Sequence, residues 1–242
     1  MGKIIHHPAE SRGATNIGWL DSRHTFSFGG YQDPDRMNFG ALRVLNDDVV
    51  SGGMGFGEHP HRNMEIVSIP LEGDLEHRDS MGNVTVIKEG DIQVMSAGTG
   101  VYHSEYNRNP DRAVKFLQIW MYPNRMNVQP RYQQLTLQPA SRRNRLQRIL
   151  SPKPDDGVVW IHQEAWFHMG TFDAGETATY ELQRTGNGVY AFVLKGAFEV
   201  EGRRLGTRDG IGNTDTSHID ILSLSEDSEI LLMEVPMEGF PS

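Results

Sequence analysis

The chain has 242 residues, a formal net charge of −9 and no cysteine. The negative field disfavours binding to nucleic-acid backbones and anionic membranes. Without thiols there are no disulfides, iron–sulfur clusters, thiolate zinc sites or cysteine nucleophiles, so a metal here must be held by His, Asp, Glu or Met.

The opening Met1-Gly2-Lys3-Ile4-Ile5-His6-His7-Pro8 lacks the apolar run of a secretory signal, and lacks a Ser or Thr where myristoylation needs one. No stretch reaches the roughly 18 consecutive apolar residues of a membrane span. A cytoplasmic location is therefore expected. Short runs rich in β-branched and aromatic residues follow: Ala41 to Asn46, Met64 to Leu71, Val84 to Ile87, Ile92 to Met95 and Lys115 to Tyr122. Each ends at Gly, Asp or Pro, which reads as strand, and such runs at roughly 8–12-residue spacing suggest a sandwich or barrel. Asp79-Ser80-Met81-Gly82-Asn83 reads as a hairpin connection.

The stretch from Asn124 to Pro154 carries Pro130, Pro139, Pro152 and Pro154 and the cluster Arg142, Arg143, Arg145 and Arg148. It reads as a linker between two β units, with a short helix over Pro139 to Leu150. Its arginines read as solvated surface or ion-pair partners. Strand-like runs resume at Tyr190 to Leu194, Ala197 to Val200, Ile219 to Leu224 and Glu229 to Val235. Leu71-Glu72-Gly73 is echoed by Leu194-Lys195-Gly196, a weak sign of internal duplication. The expected division is residues 1–135 and 136–242.

The chemistry concentrates in Glu58-His59-Pro60-His61 and Tyr102-His103-Ser104-Glu105. Side chains alternate along a strand, so His59 and His61 share a face, as do His103 and Glu105. Facing strands would bring three imidazoles and a carboxylate to one ion, a donor set that suits Fe, Cu, Ni, Co, Mn or Zn. Alternation alone leaves Glu65 open as the carboxylate, because positions 61 and 65 also share a face. Phe28, Phe39, Phe56, Met95 and Trp120 are candidates for an aromatic pocket, or else for barrel core. His24 and His77 stand either near the site and its entrance or in structural polar roles. Arg62 and Asn63 are expected to pair with neighbours.

Gly53-x5-His59-x-His61-x3-Glu65-x7-Gly73 is similar to the first motif of the cupin superfamily. Gly90-x5-Ser96-x-Gly98 followed by His103-x3-Asn107 resembles its second. Ser96 stands where cupins usually have Pro, and two extra residues precede His103. Both departures, with Glu105 after His103, resemble the pirin family within the cupins. Trp19-Leu20-Asp21-Ser22-Arg23-His24-Thr25-Phe26-Ser27-Phe28 and Leu71-Glu72-Gly73-x2-Glu76-His77-x-Asp79-Ser80-Met81-Gly82-Asn83 strengthen the likeness, which in detail covers roughly residues 15–135.

The resemblance implies an all-β bicupin: two packed β-barrels of jelly-roll type with few short helices, and metal in the N-terminal barrel alone. It implies His59, His61, His103 and Glu105 as ligands, which moves Glu65 to a supporting role. The implied cofactor is one divalent transition metal, Fe(II) first, with Cu, Ni, Co, Mn or Zn as alternatives. In the second half Thr179-Tyr180-Glu181-Leu182-Gln183 has no imidazole and His162, His168 and His218 are scattered, so that barrel is expected to be metal-free. The implied activity is dioxygenase cleavage of quercetin-like flavonols with O2 and release of carbon monoxide, with Glu105 as ligand and proton acceptor. Two other readings stand beside it. One is a non-enzymatic, metal-sensing regulator that binds a protein partner. The other is a metal-free, sugar-binding or isomerase-like cupin.

Overall fold

The computed structural model describes residues 3–241. The described chain is all-β, interrupted by three short 3-10 turns at Ala9–Ser11, Pro34–Arg36 and Pro139–Ser141. In space, the first barrel's long sheet runs Arg131–Thr136, Asp91–Ser96, Glu65–Glu72, Val114–Met121, Leu42–Val50, Leu20–His24 and Gly13–Asn16. Opposite it lies a short sheet in the order Gly55–His61, Val101–Asn107, Leu75–Asp79 and Val84–Ile87. The second barrel repeats the plan. Its long sheet is built around Asn187–Lys195 and Ser228–Pro236, and its short sheet runs Thr177–Glu181, His218–Ser223, Phe198–Val200 and Arg203–Leu205. Together they form a bicupin.

The long sheets are buried on both faces, and alternation sorts their residues. In Glu65–Glu72, Val67 and Ile69 join a core shared by the two barrels, while Ile66 packs inside its own barrel with Met95 and Val101. The shared core also holds Leu45, Leu117 and Ile119 from the first barrel and Phe167, Tyr190, Phe192, Leu231 and Met233 from the second. Val189, Ala191, Val193 and Leu232 instead fill the interior of the second barrel. The outer faces of the two long sheets thus pack on each other, as sandwiched sheets do, and the apolar area removed from water binds the barrels.

Three expectations change. Ile4–His7, which the division at 135/136 puts with the first half, pairs with Gly210–Asn213 and so extends the second barrel's sheet. The stretch read as a linker contributes a strand to each barrel: Arg131–Thr136 pairs with Asp91–Ser96, and Gln147–Ser151 pairs with Trp166–Phe172. The helix expected over Pro139 to Leu150 is only the turn Pro139–Ser141: the chain bends from Arg142, bridges to Thr171 at Arg143, and is a strand from Gln147. Two of its four arginines face acidic neighbours, Arg143 with Asp173 and Asp227, and Arg148 with Asp155, while Arg145 caps the carbonyls of Ala140 and Ser141. The hairpin at Asp79 to Asn83 forms, with the Asp79 carboxylate accepting from the amides of Met81 and Asn83. No helix among the described residues is long and apolar enough to cross a membrane.

Candidate metal centre

Two neighbouring strands of the short sheet deliver the histidines. Gly55–His61 is its edge strand, which tolerates Pro60 because an edge has a free hydrogen-bonding side. Antiparallel pairing sets His59 directly across from His103, and His61 across from Val101. The ring centroids of His59 and His103 are 4.5 Å apart, those of His61 and His103 4.8 Å, and those of His59 and His61 4.9 Å. One ring nitrogen from each of the three lies within 4.8 Å of the others. His59 Nδ1 donates to the Gly57 carbonyl oxygen at 2.8 Å, which leaves Nε2 with its lone pair turned to its partners. Both ring nitrogens of His103 are buried and without a protein partner. A buried, unpaired polar group is costly, and a cation among three imidazoles relieves that cost. Burial first, then the neighbouring His59 and His61, push His103 down to about 2; burial and His59 push His61 down to about 4. Both are neutral near pH 7, the protonation state a metal needs.

Glu105 shares the face of His103, and a bulge lies in the strand across from it. Beyond the His103–His59 pair the register slips, and Glu105 pairs with Phe56. One extra residue on the Gly55–His61 strand therefore reverses its alternation, so Phe56 and His59, three residues apart, line one cavity. On its other side Glu105 pairs with His77. Its carboxylate accepts from Ser68 Oγ at 3.2 Å and from Gln118 Nε2 at 2.7 Å. Burial raises it to about 7; nearby Asp48 adds to the rise, and the Ser68 and Gln118 hydrogen bonds oppose it. A second group, His77, His103 and Glu105, also has ligand atoms within 4.8 Å of one another. The two groups share His103, and among the described residues no single group of that span holds His59, His61, His103 and Glu105 together.

Glu65 lies one residue from Ile66 and so on the opposite face of its strand. There it accepts from Ser96 Oγ at 2.7 Å, away from the imidazoles. His77 stands behind the centre, not at an entrance: it is fully buried, and its Nε2 is 3.0 Å from Asp79 Oδ2. Burial alone would raise Asp79, but hydrogen bonds from His77 and Asn83 outweigh it and hold the carboxyl below its usual value. Arg62 and Asn63 both reach Asn127 Oδ1.

A cavity of about 340 Å³ opens beside His59 and Glu105. Phe28, Phe56 and Trp120 line it, and the Trp120 ring stands edge-on to His61 at 4.8 Å. Of the other pocket candidates, Phe39 packs on Tyr190 in the shared core, and Met95 is buried with Ile66 and Val101. The cavity also holds polar groups that the sequence reading passed over: Ser22, Asn46, Asp48 and Gln118, beside His24. Ser68 joins them as a partner of Glu105 and Gln118. The one signal for Ser68 and Gln118 is a polar residue inside a run that is otherwise apolar.

A family model described as pirin matches residues 6–121, and one described as the quercetinase C-terminal cupin domain matches residues 148–235. "Quercetin 2,3-dioxygenase" of Escherichia coli K12 is 42% identical over 233 residues, which cover 96% of this chain and 99% of that one. A "pirin-like protein" of Caulobacter vibrioides is 39% identical over 232 residues, covering 96% and 99%. The crystal structure of an Escherichia coli bacterial pirin in complex with nickel(II) superposes with a TM-score of 0.91 at 40% identity, covering 97% of this chain and 99% of that one. The chain belongs to the pirin family of cupins.

Proposed function

We propose that this member of the pirin family is a metal-dependent dioxygenase that opens quercetin-like flavonols with O2 and releases carbon monoxide. The observation that carries the reading is a cluster of three imidazoles that shares His103 with the buried carboxylate of Glu105, beside an aromatic-lined cavity. In this reading His59, His61 and His103 hold one divalent ion and Glu105 completes the set. Fe(II) is the first candidate, and the nickel(II) complex of a relative 40% identical supports the binding of a divalent ion. When bound, such an ion lowers the pKa of the substrate's enol and supplies open coordination positions for the reactants.

The protein's own groups do the rest. Phe28, Phe56 and Trp120 take the flat rings and exclude water. Glu105, raised by burial, accepts the enol proton near neutral pH, where a general base works best. Ser68 and Gln118 fix its two oxygens while the proton arrives. One substrate carbon leaves as carbon monoxide, and both atoms of O2 end in the products, so the balance closes without another oxidant. The test is aerobic incubation of metal-loaded protein with quercetin. Loss of the flavonol absorbance with equimolar carbon monoxide supports the reading; a fully loaded protein that leaves the flavonol intact overturns it.

A further inference from the structure

The long-sheet wall of the cavity carries a polar patch that supplies none of the candidate metal ligands. Two adjacent strands of the long sheet supply it. Leu20–His24 and Leu42–Val50 pair so that Ser22 stands across from Asp48 and His24 across from Asn46. All four residues line the cavity and are nearly fully buried. Their hydrogen bonds are directional. The Ser22 hydroxyl donates to Asp48 Oδ1. His24 Nδ1 lies 2.9 Å from Asn46 Oδ1, and its Nε2 lies 3.0 Å from Thr15 Oγ1. Both ring nitrogens of His24 are thus engaged within the protein.

Asp48 is the anomaly. Among the described residues its carboxylate takes a side-chain hydrogen bond only from Ser22, although two oxygens offer about four acceptor positions. No Lys or Arg lines the cavity to balance it. Buried carboxylates are ordinarily paired or multiply hydrogen-bonded, because desolvation is otherwise too costly. Burial raises the Asp48 carboxyl to about 7, and a ligand hydroxyl would supply a donor that relieves this cost. A metal ion does not fit, since His24 is already engaged on both sides and Asp48 would be a lone ligand. A hydroxyl on a flat ring does fit: the remaining walls are Leu20, Phe28, Phe56 and Trp120, and Asn46, with its oxygen taken by His24, keeps amide donors for the hydroxyl oxygen.

We infer that Asp48, set by Ser22 and flanked by Asn46, is a specificity-determining residue that accepts a hydrogen bond from a second, phenolic hydroxyl of the substrate, distinct from the metal-facing enol. The inference rests on the dioxygenase reading for the placement of the enol. It narrows the substrate class to polyhydroxylated aromatic enols and sets simple enols at a disadvantage.

Equilibrium binding under anaerobic conditions tests it apart from turnover. Nickel-loaded protein is titrated with quercetin and with 3-hydroxyflavone, which keeps the enol and lacks the ring hydroxyls. A hydrogen bond to a charged acceptor gives the intact protein a preference for quercetin of roughly ten- to a hundredfold. Asp48→Ala is expected to collapse the ratio of the two dissociation constants towards one, and Asp48→Asn, which keeps shape and volume, to reduce it severalfold. A ratio unchanged in the folded variants, or failure of the intact protein to bind either flavonol, overturns the inference. If both flavonols bind with the expected preference but neither is consumed in air, the dioxygenase reading falls while the role of Asp48 stands.

Discussion

Gln118 Nε2 donates to Glu105 Oε2 at 2.7 Å, which ties the long sheet to the carboxylate of the candidate centre. The bond stabilises the ionised form and so opposes the rise that burial imposes on Glu105. In Gln118→Leu that opposition is lost and the carboxyl moves further up. With the ionised form as the proposed acceptor of the enol proton, the acid limb of the kcat profile is expected to move to higher pH by about one unit. A limb that stays in place shows that Gln118 does not set the base.

The unpaired nitrogens of His103 tie metal to stability. Removing the ion leaves the ligating nitrogen, like its ring partner, buried without a protein partner. A chelator is expected to lower Tm by several degrees, and adding Ni(II) or Fe(II) to restore it by mass action on the folded state. In His103→Ala the metal-dependent shift should vanish, with bound metal below about a tenth of the wild-type content, read by elemental analysis of the same samples.

His7 reports on the strand that the first half lends to the second barrel. Its Nδ1 is 2.8 Å from the Tyr190 hydroxyl in the buried seam. Burial first, then Arg36 and His6, push it down to about 4 from 6.5. The unfolded chain therefore takes a proton below pH 6.5 that the folded chain refuses until about pH 4. The stabilisation is full above pH 6.5 and is lost as pH falls towards 4, on the order of 2–3 kcal/mol in all. The difference in unfolding free energy between wild type and His7→Gln, followed by urea titration from pH 7 to pH 4, should shrink by about 2 kcal/mol. A constant difference would show that His7 is not buried neutral.

The shared core predicts one unfolding event. Ile119 and Leu231 belong to a single cluster that spans both barrels. Calorimetry should show one transition, and Ile119→Ala should cost about 2–4 kcal/mol and lower that transition as a whole. Two separate transitions, with only one moved by the substitution, contradict this packing.

Much of this architecture was legible in the residues. His59-Pro60-His61 and His103-Ser104-Glu105 gave away their faces because strand alternation is strict over so short a span. What stayed hidden was non-local. The bulge opposite Glu105 has no local signature, yet it turns Phe56 inward, and the pairing of Glu105 with His77 across a strand boundary is equally invisible. Ser68, Gln118 and Asp48 lie in strands buried on both faces, where no polar–apolar alternation marks the inner side. Phe39 failed as a pocket residue for the same reason, since aromatic residues serve both the cavity and the seam. The pairing of Ile4–His7 with Gly210–Asn213 joins the two ends of the chain, which no sequence window can register.

Crystals loaded with one divalent ion, examined by anomalous scattering at that metal's edge, test the central claim most directly. The account predicts one peak per chain, roughly 2.0–2.2 Å from a ring nitrogen each of His59, His61 and His103 and from a carboxylate oxygen of Glu105. A peak elsewhere, or one held by the three imidazoles while Glu105 remains on Ser68 and Gln118 out of ligating range, would contradict it.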